Sequence, residues 1–134
     1  QGAEVLAGGP GHPEGLEGGN FVKPTVFTNV TPDMKIAREE IFGPVISVLT
    51  YKTEEEAVAM ANDTTYGLAA YVSSTNEERA KKVAAQIVAG RVMVNSLQHD
   101  PMAPFGGFKQ SGIGREYGIF GLEEYVEPKA IIRD

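Results

Sequence analysis

Three apolar runs alternate with two polar, helix-like stretches in the middle of the chain. The runs cover residues 45–51, 68–72 and 92–94 and consist almost entirely of apolar or β-branched side chains. Continuous runs of this kind are typical of strands that are buried on both faces. Since buried strands that alternate with helices form parallel sheets with right-handed crossovers, the pattern predicts an α/β fold with a parallel βαβαβ core over residues 45–95.

Capping signals mark where the two intervening helices begin. Thr53 and Thr75 each start a Thr-x-x-Glu capping box, in which the hydroxyl and the carboxylate accept hydrogen bonds from unpaired amides of the first turn. The first helix is predicted at about Glu54–Asn62, and the second is expected to end with Gly90 as its C-terminal capping residue. The second helix carries an apolar stripe at helical spacing, formed by Ala80, Val83, Ala84, Ile87 and Val88.

The chain on either side of this core contains shorter elements. Short strands are predicted at residues 3–7 and 25–27, and Thr31 followed by Pro32 predicts a helix that runs to about Arg38. Residues 126–132 predict a terminal strand, which Pro128 restricts to a sheet edge or a bulge.

The length of 134 residues fits one domain. The predicted parts of this domain are an irregular, Gly/Pro-rich leader (1–24), the α/β core (25–95), a Gly/Pro-rich loop (96–114), and a short helix with the terminal strand (115–134).

Composition and charge exclude several classes of function. The chain has 18 Asp and Glu against 12 Lys and Arg, a formal net charge of −6, which argues against nucleic-acid binding and against a polybasic membrane patch. No apolar run approaches the roughly 20 residues that a membrane span needs. Because the chain has no Cys, it holds no disulfide, no thiolate nucleophile and no Cys-bound zinc. We expect no nucleic-acid or membrane partner.

The N-terminal residue is Gln1, with neither an initiator Met nor a signal-like segment behind it. We therefore expect a processed or excised piece of a cytoplasmic protein.

The glycine-rich loop does not match the motifs that bind phosphate. Gly107 and Gly112 have the spacing of a P-loop, but Ile113 and Gly114 stand where that motif needs Lys and Ser or Thr. The Gly112-x-Gly114 pair is also not preceded by a strand, as a dinucleotide fingerprint requires. A surface loop explains these glycines.

Catalytic and metal sites also lack a complete set of residues. Ser111 is not in a nucleophile elbow, and His99 and Asp100 are adjacent, so their side chains diverge instead of forming a base with its orienting acid. The chain has only two His, so we expect no metal site. Since no nucleophile has a base beside it, we also expect no catalytic residue within this chain.

An acidic pair offers one candidate site. Glu39 and Glu40 precede Phe42 and the first apolar run. A carboxylate at the mouth of a parallel sheet can accept two hydroxyl hydrogen bonds from a ribose diol, and a neighbouring Phe can support a flat ring. A solvated helix end is the alternative explanation.

Several motifs, in a fixed order, resemble the C-terminal part of the NAD(P)-dependent aldehyde dehydrogenase family. They are Gly-Asn-Phe-Val-Lys-Pro-Thr-Val (19–26), Glu-Glu-Ile-Phe-Gly-Pro-Val (39–45), Asn-Asp-Thr-Thr-Tyr-Gly-Leu (62–68), Gly-Arg-Val-Met-Val-Asn (90–95), Pro-Phe-Gly-Gly-Phe-Lys-Gln-Ser-Gly (104–112) and Gly-Arg-Glu (114–116). The resemblance covers essentially the whole chain and implies the fold of the C-terminal part of that family's catalytic domain.

The resemblance also implies roles for individual residues. Glu40 corresponds to the glutamate that hydrogen-bonds the nicotinamide ribose, and Phe42 to the aromatic residue beside the nicotinamide. Phe105 corresponds to a residue of the aldehyde tunnel. The loop at 96–104, with Leu97 and His99, corresponds to the variable segment at the tunnel mouth.

The resemblance implies equally what this chain lacks. The family's cysteine nucleophile, general-base glutamate and cofactor domain lie upstream of the matched part. With these parts, the intact enzyme would oxidise an aldehyde with NAD or NADP. The isolated fragment is expected to be inactive and to bind no cofactor. The terminal strand implies a homo-oligomer. The alternative is a non-enzymatic α/β module that serves association.

Overall fold

A computed structural model describes residues 1–133. The chain divides into two compact units, Gln1–Thr53 and Glu54–Asp134, and the single domain stays a prediction. Within residues 1–133, every helix is too short or too polar to cross a bilayer.

The first unit is a three-stranded mixed sheet with one short helix. Strand β1 (Glu4–Ala7) pairs antiparallel with β2 (Thr25–Thr28), which pairs parallel with β3 (Val45–Ser47). Helix α1 (Lys35–Arg38) lies in the connection between the two parallel strands. The predicted strands at 3–7 and 25–27 are confirmed to within one residue.

Two predictions in this unit are wrong in extent. The helix begins at Lys35 instead of at Thr31 and Pro32, because the Met34 amide closes a turn to the Thr31 carbonyl before the helix starts. Strand β3 has three residues where seven were predicted, since residues beyond Ser47 have little pairing with β2, which itself ends at Thr28.

The described part of the second unit contains a two-stranded parallel sheet, three α-helices and one 3-10 helix. Its elements are α2 (Glu54–Asn62), β4 (Ala69–Val72), α3 (Glu77–Ala84), β5 (Arg91–Val94), a 3-10 helix (Lys109–Ser111) and α4 (Gly118–Glu123). Strands β4 and β5 pair in register from Ala69 with Arg91 to Val72 with Val94. The parallel β4–α3–β5 crossover and the short helix after residue 115 are therefore confirmed.

The predicted three-stranded βαβαβ core is not found as one sheet. β3 belongs to the sheet of β1 and β2, and β4 and β5 form a second sheet. The apolar runs located the three strands, but they carry no information on which strands are hydrogen-bonded to each other.

The start of α3 differs from the predicted capping box. The side-chain oxygen of Asn76, and not that of Thr75, accepts the Arg79 amide at 2.9 Å. The helix ends at Ala84, so Ile87 and Val88 lie beyond it, and Gly90 does not cap it. Only Ala80 of the predicted stripe is fully buried.

The expectation that the strands are buried on both faces is wrong for the described residues. Ile46 in β3 is 60% exposed, and residues of β4 alternate between exposed and half-buried. Helix α3 packs against β4 and β5 and covers one face of that sheet. Among the described residues, the buried hydrophobic residues are Val30, Met34 and Ala80.

The terminal strand is also absent from the described residues. Residues 126–133 form no ladder, and Ile132 is 92% exposed. An extended segment is assigned as a strand only when a neighbour pairs with its amides and carbonyls, and residues 1–133 supply no such neighbour to this segment.

Candidate functional site

The first unit has a cavity of about 340 Å³ at the segment between α1 and β3. Its lining includes Ile36, Glu40, Ile41, Phe42, Val45 and Ser47. The two residues predicted for cofactor binding, Glu40 and Phe42, therefore lie in one cavity. The lining places the exposed carboxylates of both Glu39 and Glu40 beside apolar side chains, a composition that suits a small polar ligand with a flat ring.

Phe42 has the most unusual backbone at this cavity. Its φ is +53°, a left-handed conformation that bulky side chains rarely adopt, and its side chain is 92% exposed. The next turn is fixed, because the Val45 amide donates to the Gly43 carbonyl at 2.8 Å and the Thr25 amide donates to the Pro44 carbonyl at 2.9 Å. Strained residues of this kind cluster at ligand sites.

The two neighbouring glutamates are in different situations. The carboxylate of Glu39 lies 3.5 Å from the Lys35 ammonium, one helical turn earlier. This exposed pair is worth little energetically, yet it draws Glu39 towards the helix. Both glutamates line the cavity, and Glu40 is the one that the sequence predicts as the cofactor-binding residue.

The second unit brings three aromatic rings and one guanidinium together. The rings of His99 and Tyr117 meet edge to face with centroids 5.1 Å apart, and the rings of Phe105 and Tyr117 lie 6.1 Å apart. The Arg91 guanidinium lies 5.0 Å from the centre of the Phe105 ring. We call these four residues the Arg91 cluster.

Two cavities adjoin the Arg91 cluster. A cavity of about 780 Å³ is lined by Phe105 and Tyr117, together with residues of the glycine-rich segment. A second cavity, of about 490 Å³, is lined by His99 and its neighbours Gln98 and Asp100. Leu97 borders neither cavity and is 80% exposed, so the structure does not bring it together with Phe105 and His99.

The backbone around Phe105 is held by neighbouring segments. Phe105 and Glu116 exchange two backbone hydrogen bonds of 2.8 and 2.6 Å. The Gly67 carbonyl accepts the amides of Gly90 and Phe108 at 2.9 and 2.8 Å, and the Ser111 hydroxyl accepts the Gly67 amide at 3.0 Å. Ser111 therefore has a structural contact rather than a nucleophile's surroundings.

Two residues of this cluster were missed by sequence reasoning. Arg91 reads in the sequence as the polar first residue of an apolar strand, and Tyr117 as part of the segment after the glycine-rich loop. Their contacts bridge 14 and 18 residues of chain, from Arg91 to Phe105 and from His99 to Tyr117, a separation that local patterns do not report. The one signal that could have identified Arg91 is a charged residue at the start of an otherwise apolar strand.

The following groups with shifted pKa values lie outside the Glu40 cavity and outside the Arg91 cluster. A hydrogen bond from the Lys81 ammonium lowers the pKa of Glu77 and correspondingly raises the pKa of Lys81. A hydrogen bond from the Thr31 hydroxyl lowers the pKa of Asp33. These exposed groups stabilise helix α3 and the turn before α1.

Comparison with known proteins relates the whole chain to one family. The model described as "Aldehyde dehydrogenase family" matches residues 1–131. The chain is 55% identical to aldehyde dehydrogenase C of Pseudomonas syringae, whose structure is a complex with NAD+ and octanal, with a TM-score of 0.94 over 97% of this chain and 27% of that one. It is 50% identical to a Mycobacterium tuberculosis aldehyde dehydrogenase complexed with NAD+, with a TM-score of 0.89 over 92% of this chain and 26% of that one.

The chain corresponds to a limited part of these relatives. A protein of Staphylococcus haemolyticus is 56% identical over 131 residues, which is 98% of this chain and 28% of the relative. The chain therefore spans about 28% of the length of the curated relatives that it matches.

Proposed function

The chain belongs to the aldehyde dehydrogenase family, and we propose that it is the C-terminal part of an enzyme that oxidises an aldehyde to a carboxylic acid with NAD+ or NADP+. The observation that carries this proposal is the likeness to a relative complexed with NAD+ and octanal, at a TM-score of 0.94 and 55% identity over 97% of the chain. Complexes of two relatives with NAD+ favour NAD+ over NADP+.

The cavity at Glu40 fits one end of such a cofactor. Its volume of about 340 Å³ is at the lower end for small-molecule sites, which span roughly 300–1,000 Å³, and suits a ribose with its base rather than a whole dinucleotide. The Glu40 carboxylate would accept the two ribose hydroxyls, and the exposed Phe42 ring would pack against the nicotinamide. When bound, the nicotinamide accepts a hydride from the aldehyde carbon.

The other site residues would contact the aldehyde. Phe105 would form a wall of the tunnel, and its half-buried ring against Arg91 and Tyr117 is consistent with a wall held in place. His99 and Leu97 would lie at the tunnel mouth, where the exposed Leu97 side chain is free to contact a substrate. The chain has no Cys, so the nucleophile, the general base and the rest of the cofactor site would come from the remainder of the protein.

Activity of the chain and of the full-length protein tests this proposal. We expect the full-length protein to reduce NAD+ in the presence of octanal, measured by absorbance at the NADH maximum. The 134-residue chain should give no aldehyde-dependent signal, since a thiol nucleophile is missing. Activity of the chain alone would contradict the assignment of the nucleophile to another part, and an inactive full-length protein that still binds partners would favour the association module.

We also propose that the protein forms a homo-oligomer. The chain presents 10418 Å² of accessible surface, whereas a folded monomer of 14.3 kDa presents about 6,800 Å² by the usual scaling. Exposed apolar side chains contribute to this excess at Tyr125, Val126, Ile131 and Ile132. Clustered exposed apolar side chains usually mark an interface, and among the described residues the segment at 127–132 pairs with no neighbouring strand.

Light scattering on the full-length protein and on the chain measures this association. We expect a mass of two or more copies for both, with two-fold symmetry the commonest arrangement. Removal of residues 126–134 should reduce the mass towards that of one copy. A monomeric mass for the unaltered protein over a dilution series would rule the oligomer out.

A further inference from the structure

Arg91 makes three contacts with the segment that carries the substrate-tunnel residues. Its guanidinium lies 5.0 Å from the centre of the Phe105 ring, its Nη1 lies 3.3 Å from His99 Nδ1, and its Nη2 donates to the Ala103 carbonyl at 3.4 Å. Because a guanidinium only donates, Nδ1 of His99 must accept, which places the ring proton of neutral His99 on Nε2. One side chain thus contacts three residues of the segment at 96–105.

The backbone of Arg91 is fixed independently of these contacts. Its amide donates to the Leu68 carbonyl at 3.3 Å, and the residue pairs with Ala69 at the start of β5. The preceding Gly90 approaches Gly106 so closely that a Cβ would lie 1.6 Å from its carbonyl oxygen. The guanidinium therefore extends from a fixed backbone position, so it can restrain the Phe105 ring and the segment at 96–104.

The Phe105 backbone is fixed as well, but its ring is not fixed by the backbone. The two hydrogen bonds with Glu116 hold the main chain of Phe105, whereas the ring direction depends on the side chains around it. Two of these neighbours are the Arg91 guanidinium and the Tyr117 ring. The segment at 96–104, most of it exposed, is tied back by His99 and Ala103.

We propose that Arg91 is a positioning residue, which orients the Phe105 ring and anchors the segment at 96–104 against β5. The proposal rests on the proposed function in one respect, that Phe105 and this segment shape the aldehyde site. A guanidinium is suited to the task because its planar fork can stack on a ring and donate in two directions at once. A lysine ammonium can lie over the ring, but it is a compact point charge without the two separate nitrogens that reach His99 and Ala103.

The test compares Arg91→Met, Arg91→Lys and the matched control Lys82→Met in the full-length protein. Lys82 is an exposed cation on α3 in the same unit, outside the Arg91 cluster. Hydrogen–deuterium exchange of the Met102 and Ala103 amides is expected to accelerate about five- to thirtyfold in Arg91→Met, as the loss of one cation–π contact and one net hydrogen bond implies. Arg91→Lys should give a smaller acceleration, and Lys82→Met none.

Steady-state kinetics with octanal and NAD+ give the second measurement. The KM for octanal should rise about three- to tenfold in Arg91→Met with kcat within twofold, since a displaced wall weakens binding without changing the reacting groups. Arg91→Lys should recover part of this loss. A fall in kcat alone, or unchanged KM with unchanged exchange, overturns the positioning role.

The two proposals fail in different ways. If the unaltered full-length protein does not oxidise octanal or other aldehydes, the proposed function fails, and exchange at Met102 and Ala103 alone decides the role of Arg91. If Arg91→Met does not fold, Arg91→Lys decides. In Arg91→Lys, exchange of the Met102 and Ala103 amides at least twofold faster than in Lys82→Met supports the positioning role of Arg91. Equal exchange in the two variants overturns it.

Discussion

Gly90→Ala is expected to destabilise the second unit by about 3 kcal/mol or more, at the upper end of overpacking effects. A Cβ at this position would lie 1.6 Å from the Gly106 carbonyl oxygen and 2.8 Å from its carbonyl carbon. Both atoms belong to the backbone, so no side-chain rotation relieves the clash. The segment at 105–108 would have to move away from β5, and the hydrogen bonds that Gly67 accepts from Gly90 and Phe108 would be disturbed together.

Gly114→Ala is the matched control for this substitution. Gly114 lies in the glycine-rich loop that also carries Gly106, and a Cβ there meets no atom within 4 Å. Its effect should stay within about 0.5 kcal/mol, as for ordinary surface changes. Urea unfolding followed by circular dichroism of the full-length protein compares the two. Equal midpoints for Gly90→Ala and Gly114→Ala would show that the two segments do not approach as closely as described.

The contrast at Gly90 shows what local sequence patterns can predict. The apolar runs and polar stretches identified β4, α3 and β5 because periodicity is a local property. Gly90 was interpreted as a helix cap by the same local reasoning, whereas its structural requirement comes from Gly106, sixteen residues away. The choice of Asn76 over Thr75 as the cap of α3 is a smaller case, since both residue types cap helices.

The edges of the fold were predicted less well for a related reason. The apolar, β-branched residues at 126–132 favour an extended conformation, but a strand also needs a partner that the sequence does not specify. Likewise, the apolar character of 45–51 and 68–72 indicated two buried faces, although among the described residues helix α3 covers one face of the β4–β5 sheet and Ile46 of β3 is 60% exposed. Both errors concern surface that the described residues leave exposed.

The candidate sites were predicted unevenly. Glu40 and Phe42 were found through the family motif, and the structure brings them into one cavity; their roles stay predictions. Phe105 and His99 meet through Tyr117 and Arg91, neither of which a local pattern identified. Leu97 lies apart from both cavities, because position in a motif does not determine which way a loop residue points.

Glu40→Gln in the full-length protein is expected to raise the KM for NAD+ about ten- to a hundredfold. A carboxylate can accept a hydrogen bond from each ribose hydroxyl, and hydrogen bonds to a charged group contribute about 1.5–3 kcal/mol each. Glutamine has one carbonyl acceptor, and its amide nitrogen presents hydrogens to the second hydroxyl instead of a lone pair. One of the two strong bonds is therefore lost, while the side chain keeps its size.

Glu39→Gln separates this effect from a change of charge at the cavity. It removes the same negative charge one residue away, and within the described residues its carboxylate pairs with the exposed Lys35 ammonium. We expect its KM for NAD+ to stay within about twofold, because an exposed pair on a helix contributes little. Equal increases in both variants would indicate that the cavity responds to net charge. Unchanged KM and unchanged kcat in Glu40→Gln would remove Glu40 from the cofactor site, since its carboxylate would then contact no ribose hydroxyl.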